Sequence, residues 1–201
     1  MSTIDWCYNQ SMGRPSLKEK RRAEIVSAFA QVLAQHGYEG ATIVAVATRA
    51  GIAPGLVHHY FADKAELLSS LLDELVSRFR ARVSTKERTA DPLVAYLDGA
   101  VGLDGTADLV AARCWVGLLA EAVRDLALFT HVRRLVDSEI AAIMRRSGGR
   151  LSEQDGGAVL AFVIGALVLG AFAPRKTAGF ASPALRRLVQ ALLARAEAGP
   201  A

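Results

Sequence analysis

The sequence predicts an all-α chain, in which a small N-terminal three-helix unit is joined through a long fourth helix to a larger C-terminal helical bundle. Three observations carry that prediction. Apolar residues recur at three- and four-residue spacing in segment after segment, helix-start and helix-stop residues punctuate them, and no stretch alternates apolar and polar residues long enough to make a sheet. A chain of 201 residues that is 52% apolar has ample material to bury a core.

Residues 1–15 lack periodicity and read as a flexible N-terminal segment without the basic-then-apolar pattern of a secretion signal. Ser16 with Glu19 three positions on makes a capping box, after which Ile25, Phe29, Val32, Leu33 and His36 follow helical spacing until Gly37. Thr42 is the expected N-cap of a second helix, in which Val46, Ala47 and Ala50 repeat from Ile43. Gly51 supplies a residue that can turn sharply, and Pro54 opens a third, short helix ending near Tyr60 without losing a hydrogen bond. Two short helices around one glycine form a helix-turn-helix, the grammar of a DNA-reading module.

Asp63 and Glu66 form a second capping box, starting a fourth helix to about Ser84 whose apolar face holds Leu67, Leu68, Leu71, Leu72, Leu75, Val76 and Phe79. Asp91 and Pro92 start a helix through Leu103, followed by a Gly-containing turn at 104–106. Further helices are expected at 107–126, 130–146, from Ser152 or Glu153 to Phe172, and at 182–196. The domains implied are 16–62 for the helix-turn-helix and 63–201 for a bundle that binds ligand and dimerises.

The net charge is +4, and three of those four charges fall between Arg14 and Lys64, the segment that holds the helix-turn-helix. A polyanionic partner is the natural inference. Cys7 and Cys114 stand far apart with no CxxC or Cys/His spacing, which suggests neither a disulfide framework nor a zinc site and fits a reducing cytoplasm. His58 and His59 point about 100° apart on a helix and have no carboxylate or cysteine at ligand spacing, so no metal is expected. No cofactor motif is present, and no GxSxG, P-loop, HExxH or spaced carboxylate pair argues for an enzyme. The uncharged run 156–174 is short for a membrane span and contains Gly165 and Gly170, so a buried helix is expected there and no membrane partner.

The segment from about Lys18 to Leu75 resembles the TetR family of bacterial transcriptional repressors. The resemblance rests on Gly37-Tyr38 closing the first helix, Ala41-Thr42, the AxxAG of Ala47 to Gly51, the run His59-Tyr60-Phe61, and Lys64 followed by Leu67-Leu68. The C-terminal half, through Arg113-Cys114-Trp115 and the apolar helix after Ala158, resembles more loosely the betaine-repressor branch of that family. Val44 and Ala45 stand where the family often places a polar or basic residue, and Ala53 where serine is more usual. Fewer side chains are left to read bases.

The first turn of a helix in the major groove faces base edges, which makes Pro54, Gly55, Leu56 and His58 the candidate reading residues. The resemblance implies phosphate contacts for Thr42, His59, Tyr60 and Lys64, while Lys18, Arg21 and Arg22 are candidates for flanking contacts. It also implies a homodimer on double-stranded operator DNA, because one such helix buries too little surface for tight specific binding. Candidate interface residues are Phe162, Ala166, Leu169 and Gly170 on one helix, with Leu185, Leu188, Val189 and Leu192 on the next. A small-molecule effector is expected in the bundle, near Tyr96, Trp115, Leu118, Leu119, Phe129 and Phe162, with Cys114, Glu121, Arg124 and His131 as polar anchors. The function implied is a ligand-released repressor; the competing reading is a helical ligand- or protein-binding module with a degenerate DNA-reading head.

Overall fold

The computed structural model describes residues 16–101 and 109–198, and among them every element is an α-helix. The elements are α1 (Leu17–Gly40), α2 (Ile43–Ala50), α3 (Pro54–Tyr60), α4 (Lys64–Glu87), α5 (Pro92–Val101), α6 (Leu109–Ala122), α7 (Leu126–Arg146), α8 (Glu153–Phe172) and α9 (Pro174–Ala198).

The N-terminal caps form as their side chains dictate. Ser16 accepts from the Glu19 amide at 3.1 Å and the Glu19 carboxylate takes the Ser16 amide at 2.8 Å, so both halves of that capping box are present. Regular helix in α1 ends at Gly37, whose φ of 70° leaves the helical region. At Asp63 only half of the expected box forms: its side chain caps the Glu66 amide at 2.8 Å, but Glu66 reaches back to the amide of Ala62, at 2.7 Å. That bond and Arg22 hold the Glu66 carboxyl below the usual carboxylate range.

Between α2 and α3 the chain turns on Gly51, at φ 67° and ψ 35°. The Gly51 amide donates to Thr48 at 3.2 Å and that of Ile52 to Ala47 at 3.0 Å, so the helix end closes as a Schellman turn with Ile52 packed on the core. A methyl group at Gly51 meets no atom within 4 Å, so only the left-handed backbone opposes it. Gly51→Ala should therefore cost about 1 kcal/mol in urea denaturation, from the left-handed penalty of an L-residue; a neutral result would show that the turn does not require glycine.

Several helix bounds differ from the sequence expectation. α6 stops at Ala122 and α7 begins at Leu126 instead of Thr130, because Asp125 caps the Leu128 amide at 2.8 Å. α9 begins at Pro174 instead of Ser182 and carries Pro183 inside it. Burial explains this extension: Thr177 and Ala181 are fully buried, and the Thr177 hydroxyl returns to the Ala173 carbonyl at 3.0 Å. α4 runs to Glu87, past Ser84. The turn expected at 104–106 and the flexible segment 1–15 lie outside the described residues.

Two apolar cores result. The first gathers Phe29 and Leu33 of α1, Val46 and Ala47 of α2, Val57 of α3 and the leading half of α4, together with Cys114 and Leu118 of α6. The second holds Tyr96 and Leu97 of α5, Ile143 of α7, Val159 and Val163 of α8 and Leu185 of α9. The first core continues across residues 62 and 63, since α1 packs along α6 as well as on α2 and α4. α8 is apolar and long enough for a membrane span by composition, yet it starts at a Ser152–Asp155 capping box and packs against α6, α7 and α9.

Candidate nucleic-acid interface and the cavity behind it

In α3 only Val57 is fully buried, and it anchors the helix on the first core. Pro54, Gly55, Leu56, His58 and His59 are exposed, with Leu56 38% accessible in spite of its apolar side chain. A Cβ added to Gly55 meets nothing within 4 Å, so its backbone stands open to close approach. The exposed surface of α3 is therefore nearly the whole helix, as a groove-reading element requires. Val44 in the first turn of α2, noted from sequence as a departure from the family pattern and not as a contact residue, is 62% exposed.

The flanking polar residues divide. Thr42 is exposed and its hydroxyl oxygen accepts from the Ala45 amide at 3.2 Å, leaving the hydroxyl hydrogen to donate outward. Lys18, His58 and His59 are exposed, whereas Tyr60 is half-buried against the core. The Lys64 ammonium donates to the Tyr38 carbonyl at 2.7 Å and stands 3.9 Å from the centre of the Tyr38 ring, which ties the start of α4 to the end of α1. Arg21 pairs with Glu24 on its own helix at 2.7 Å.

Arg22 makes contacts within the protein that its sequence position does not indicate. Its guanidinium bonds the Tyr60 carbonyl, pairs with Glu66 at 2.9 Å and stacks 4.1 Å over Phe61. It clamps α1 to the end of α3 and the start of α4 through a donor on each terminal nitrogen. From sequence it was one of a run of basic residues, and nothing in the spacing separates the clamp from its solvated neighbours.

Behind the reading head, a cavity of about 90 Å³ lies between α4 and α7. Val76, Phe79 and Arg82 of α4, Trp115 and Leu119 of α6, and Val136 and Glu139 of α7 are on its wall, as is Tyr96 of α5. Of the candidate pocket residues, Tyr96, Trp115 and Leu119 are on this wall. Cys114 and Leu118 are not: both are fully buried against the first core, with the Cys114 thiol 3.2 Å from the Ala30 carbonyl. α6 turns that face to α1. Phe129 is half-exposed, and Glu121 and Phe162 also lie off the cavity wall.

Sequence reasoning missed Glu139, a buried acid whose carboxylate accepts from the Tyr96 hydroxyl at 3.3 Å and from Arg80 at 3.1 Å. Burial first, and then that carboxylate, push the Tyr96 hydroxyl well above the usual phenol range. The Arg80 pair is the middle rung of a ladder joining α4 to α7. Asp73 meets His131 at 3.4 Å below it and Glu87 meets Arg146 at 2.7 Å above it. Residues 73, 80 and 87 follow heptad spacing, and their partners ascend in the same direction, so the two helices run parallel.

The proposed dimer residues also separate. Ala166, Gly170, Leu185 and Val189 are buried within the chain, three of them in its second core, and offer little exposed surface. Leu188, Leu192 and Phe162 are half-buried. Leu169, also a candidate, is 51% exposed, and Phe172 at 76% on α8 and the exposed Phe180 of α9 add to that outward apolar surface. Small residues four apart mark close helix packing, and here that packing is internal.

Residues 25–71 match the family described as bacterial regulatory proteins of the tetR family. The HTH-type transcriptional regulator BetI of Escherichia coli O139:H28 (strain E24377A / ETEC) is 26% identical over 169 residues, 80% of this chain and 86% of that protein. BetI of Shigella flexneri serotype 5b (strain 8401) matches to the same extent. Among solved structures, a transcriptional regulator from Rhodococcus sp. Rha1 superposes with a TM-score of 0.76 at 25% identity, covering 86% of this chain and 95% of that one. The fatty acid degradation regulator FadR from Bacillus halodurans shares the fold, with a TM-score of 0.68 at 20% identity over 90% of this chain and 97% of its own. Sequence match, relatives and architecture agree: residues 25–71 carry a helix-turn-helix of the tetR-family type, and over most of its length the chain is similar to helix-turn-helix transcriptional regulators.

Proposed function

We propose that the chain is a cytoplasmic repressor that binds a palindromic operator as a homodimer and leaves it when a small molecule occupies the cavity between α4 and α7. One observation carries this reading. The single helix α4 buries Leu67, Leu68, Leu71 and Leu72 in the core of the reading head and, further along, sets Val76, Phe79 and Arg82 on the cavity wall. A ligand that prefers a different position of α4 would shift the population of reading-head positions, as any differential binding must.

On the DNA, α3 enters the major groove with Gly55, Leu56 and His58 toward base edges. Thr42, His59 and the hydroxyl of Tyr60 face phosphates, and Lys64 and Lys18 contribute field as well as contact. Leu169, Phe172 and Phe180 supply the apolar patch on which a second copy docks, which sets the half-site spacing.

A salt-series titration against DNA from directly upstream of the coding sequence, with a scrambled duplex of equal length as competitor, tests the reading. Two protomers per site and a preference for the native duplex are expected, with affinity falling by orders of magnitude over a few-fold rise in salt. Equal, weak binding to both duplexes would instead favour the degenerate module.

A further inference from the structure

The cavity between α4 and α7 has apolar walls with one buried acid among them. The Glu139 side chain is only 10% exposed, and a carboxylate so placed requires a cation and donors on both oxygens. Its present cation, Arg80, is 56% exposed on the outer side of α4, where water competes for the guanidinium and the pair contributes little. The rings of Phe79 and Tyr96 meet edge-on at 5.5 Å beside it, and Trp115 adds a third aromatic wall.

We propose that this cavity takes a hydrophobic cation carrying N–H donors, an aryl- or alkylamine, amidine or guanidine, whose charged end binds Glu139 in place of Arg80. The inference rests on the ligand-responsive reading for its role in regulation. Glu139 now accepts from Arg80 on Oε1 and from Tyr96 on Oε2, so a displacing ligand must itself donate to Oε1. A quaternary ammonium has no hydrogen to give. An acid of the same shape would set its charge beside a buried carboxylate; Arg82, the other charged residue on the wall, is exposed and its guanidinium stands 6.0 Å from the Phe79 ring centre. Arg146 is held by Glu87 and by the Ala142 carbonyl, and its guanidinium stands 5.4 Å from the Tyr96 ring centre.

Calorimetric titration of the full chain without DNA, using four probes of one shape, tests this: 2-phenylethylamine, its trimethylammonium analogue, 2-phenylethanol and 3-phenylpropionate. The amine should bind about tenfold tighter than each of the others, the scale of one charge-assisted hydrogen bond. Glu139→Gln should remove that preference. Arg80→Ala should tighten amine binding because a competitor is gone, which keeps the test decisive even if the glutamine variant fails to fold. Equal or tighter binding of the alcohol, the acid or the quaternary amine, no binding of any probe, or weaker amine binding by Arg80→Ala overturns the proposal. DNA release is then measured separately. Glu139-dependent amine binding that leaves DNA affinity unchanged preserves the ligand class and removes the release mechanism; release by a probe of another class does the reverse.

Discussion

Leu118→Ala should cost about 2–5 kcal/mol of stability, the range for deleting a fully buried leucine whose site cannot collapse, and should lower the temperature at which DNA binding is lost along with the Tm. The residue belongs to α6, in the bundle, yet it is fully buried in the same core as Phe29, Val46 and Val57 of the reading head. Nearby in that seam Leu33 lies against the α6 backbone, 3.5 Å from where a Cβ on Gly117 would stand. For the same reason the isolated segment 16–62 should show little cooperative structure, since α1 loses its α4 and α6 neighbours together. Urea denaturation of the variant and circular dichroism of the segment read both effects. A cost below about 1 kcal/mol together with a cooperatively folded segment would mean that the reading head stands alone.

Leu56→Glu should lower operator affinity about a hundredfold or more while leaving stability within about 0.5 kcal/mol of the parent. The side chain is exposed in the first turn of α3, so a carboxylate there is well hydrated in the free protein. In the groove it would exchange an apolar contact for a charge surrounded by phosphates. Leu56→Gln, which forfeits the apolar contact alone, should lose about tenfold. Gel-shift titration at one fixed salt concentration gives both numbers. Unchanged affinity for Leu56→Glu would place this face of α3 away from DNA and overturn the groove assignment.

The architecture was legible where local chemistry decides it. Ser16, Thr42 and Gly51 announce helix ends through bonds made within a few residues, Pro54 does so through its fixed φ and absent amide hydrogen, and the structure places a helix end at each. Asp125 carried the same kind of signal as the cap of α7, but the apolar run on both sides hid it. The start of α9 was not legible because burial of Thr177 and Ala181 overrides the punctuation of Pro183. Within the sites, what escaped was direction. A glutamate on an amphipathic helix reads as a solvated residue, and only the placement of α4 over α7 makes Glu139 a cavity residue. Cys114 and Leu118 share a helix with Trp115, yet their side turns to α1. Arg22 became a clamp through partners 38 and 44 positions away in the chain.

The core that runs from the reading head into α6 bears on how such proteins diversify. A recombination junction near residue 62 would part Phe29 and Leu33 from the α6 surface they complete, so a grafted head from a distant relative would arrive with a mismatched seam. The exchangeable unit must carry the α6 surface with it, or α1 and α6 must drift together. Within α3, by contrast, Val57 is the only fully buried residue. The exposed surface of α3 can therefore change by single substitutions at little cost to the core, while the module as a whole is packed into its bundle.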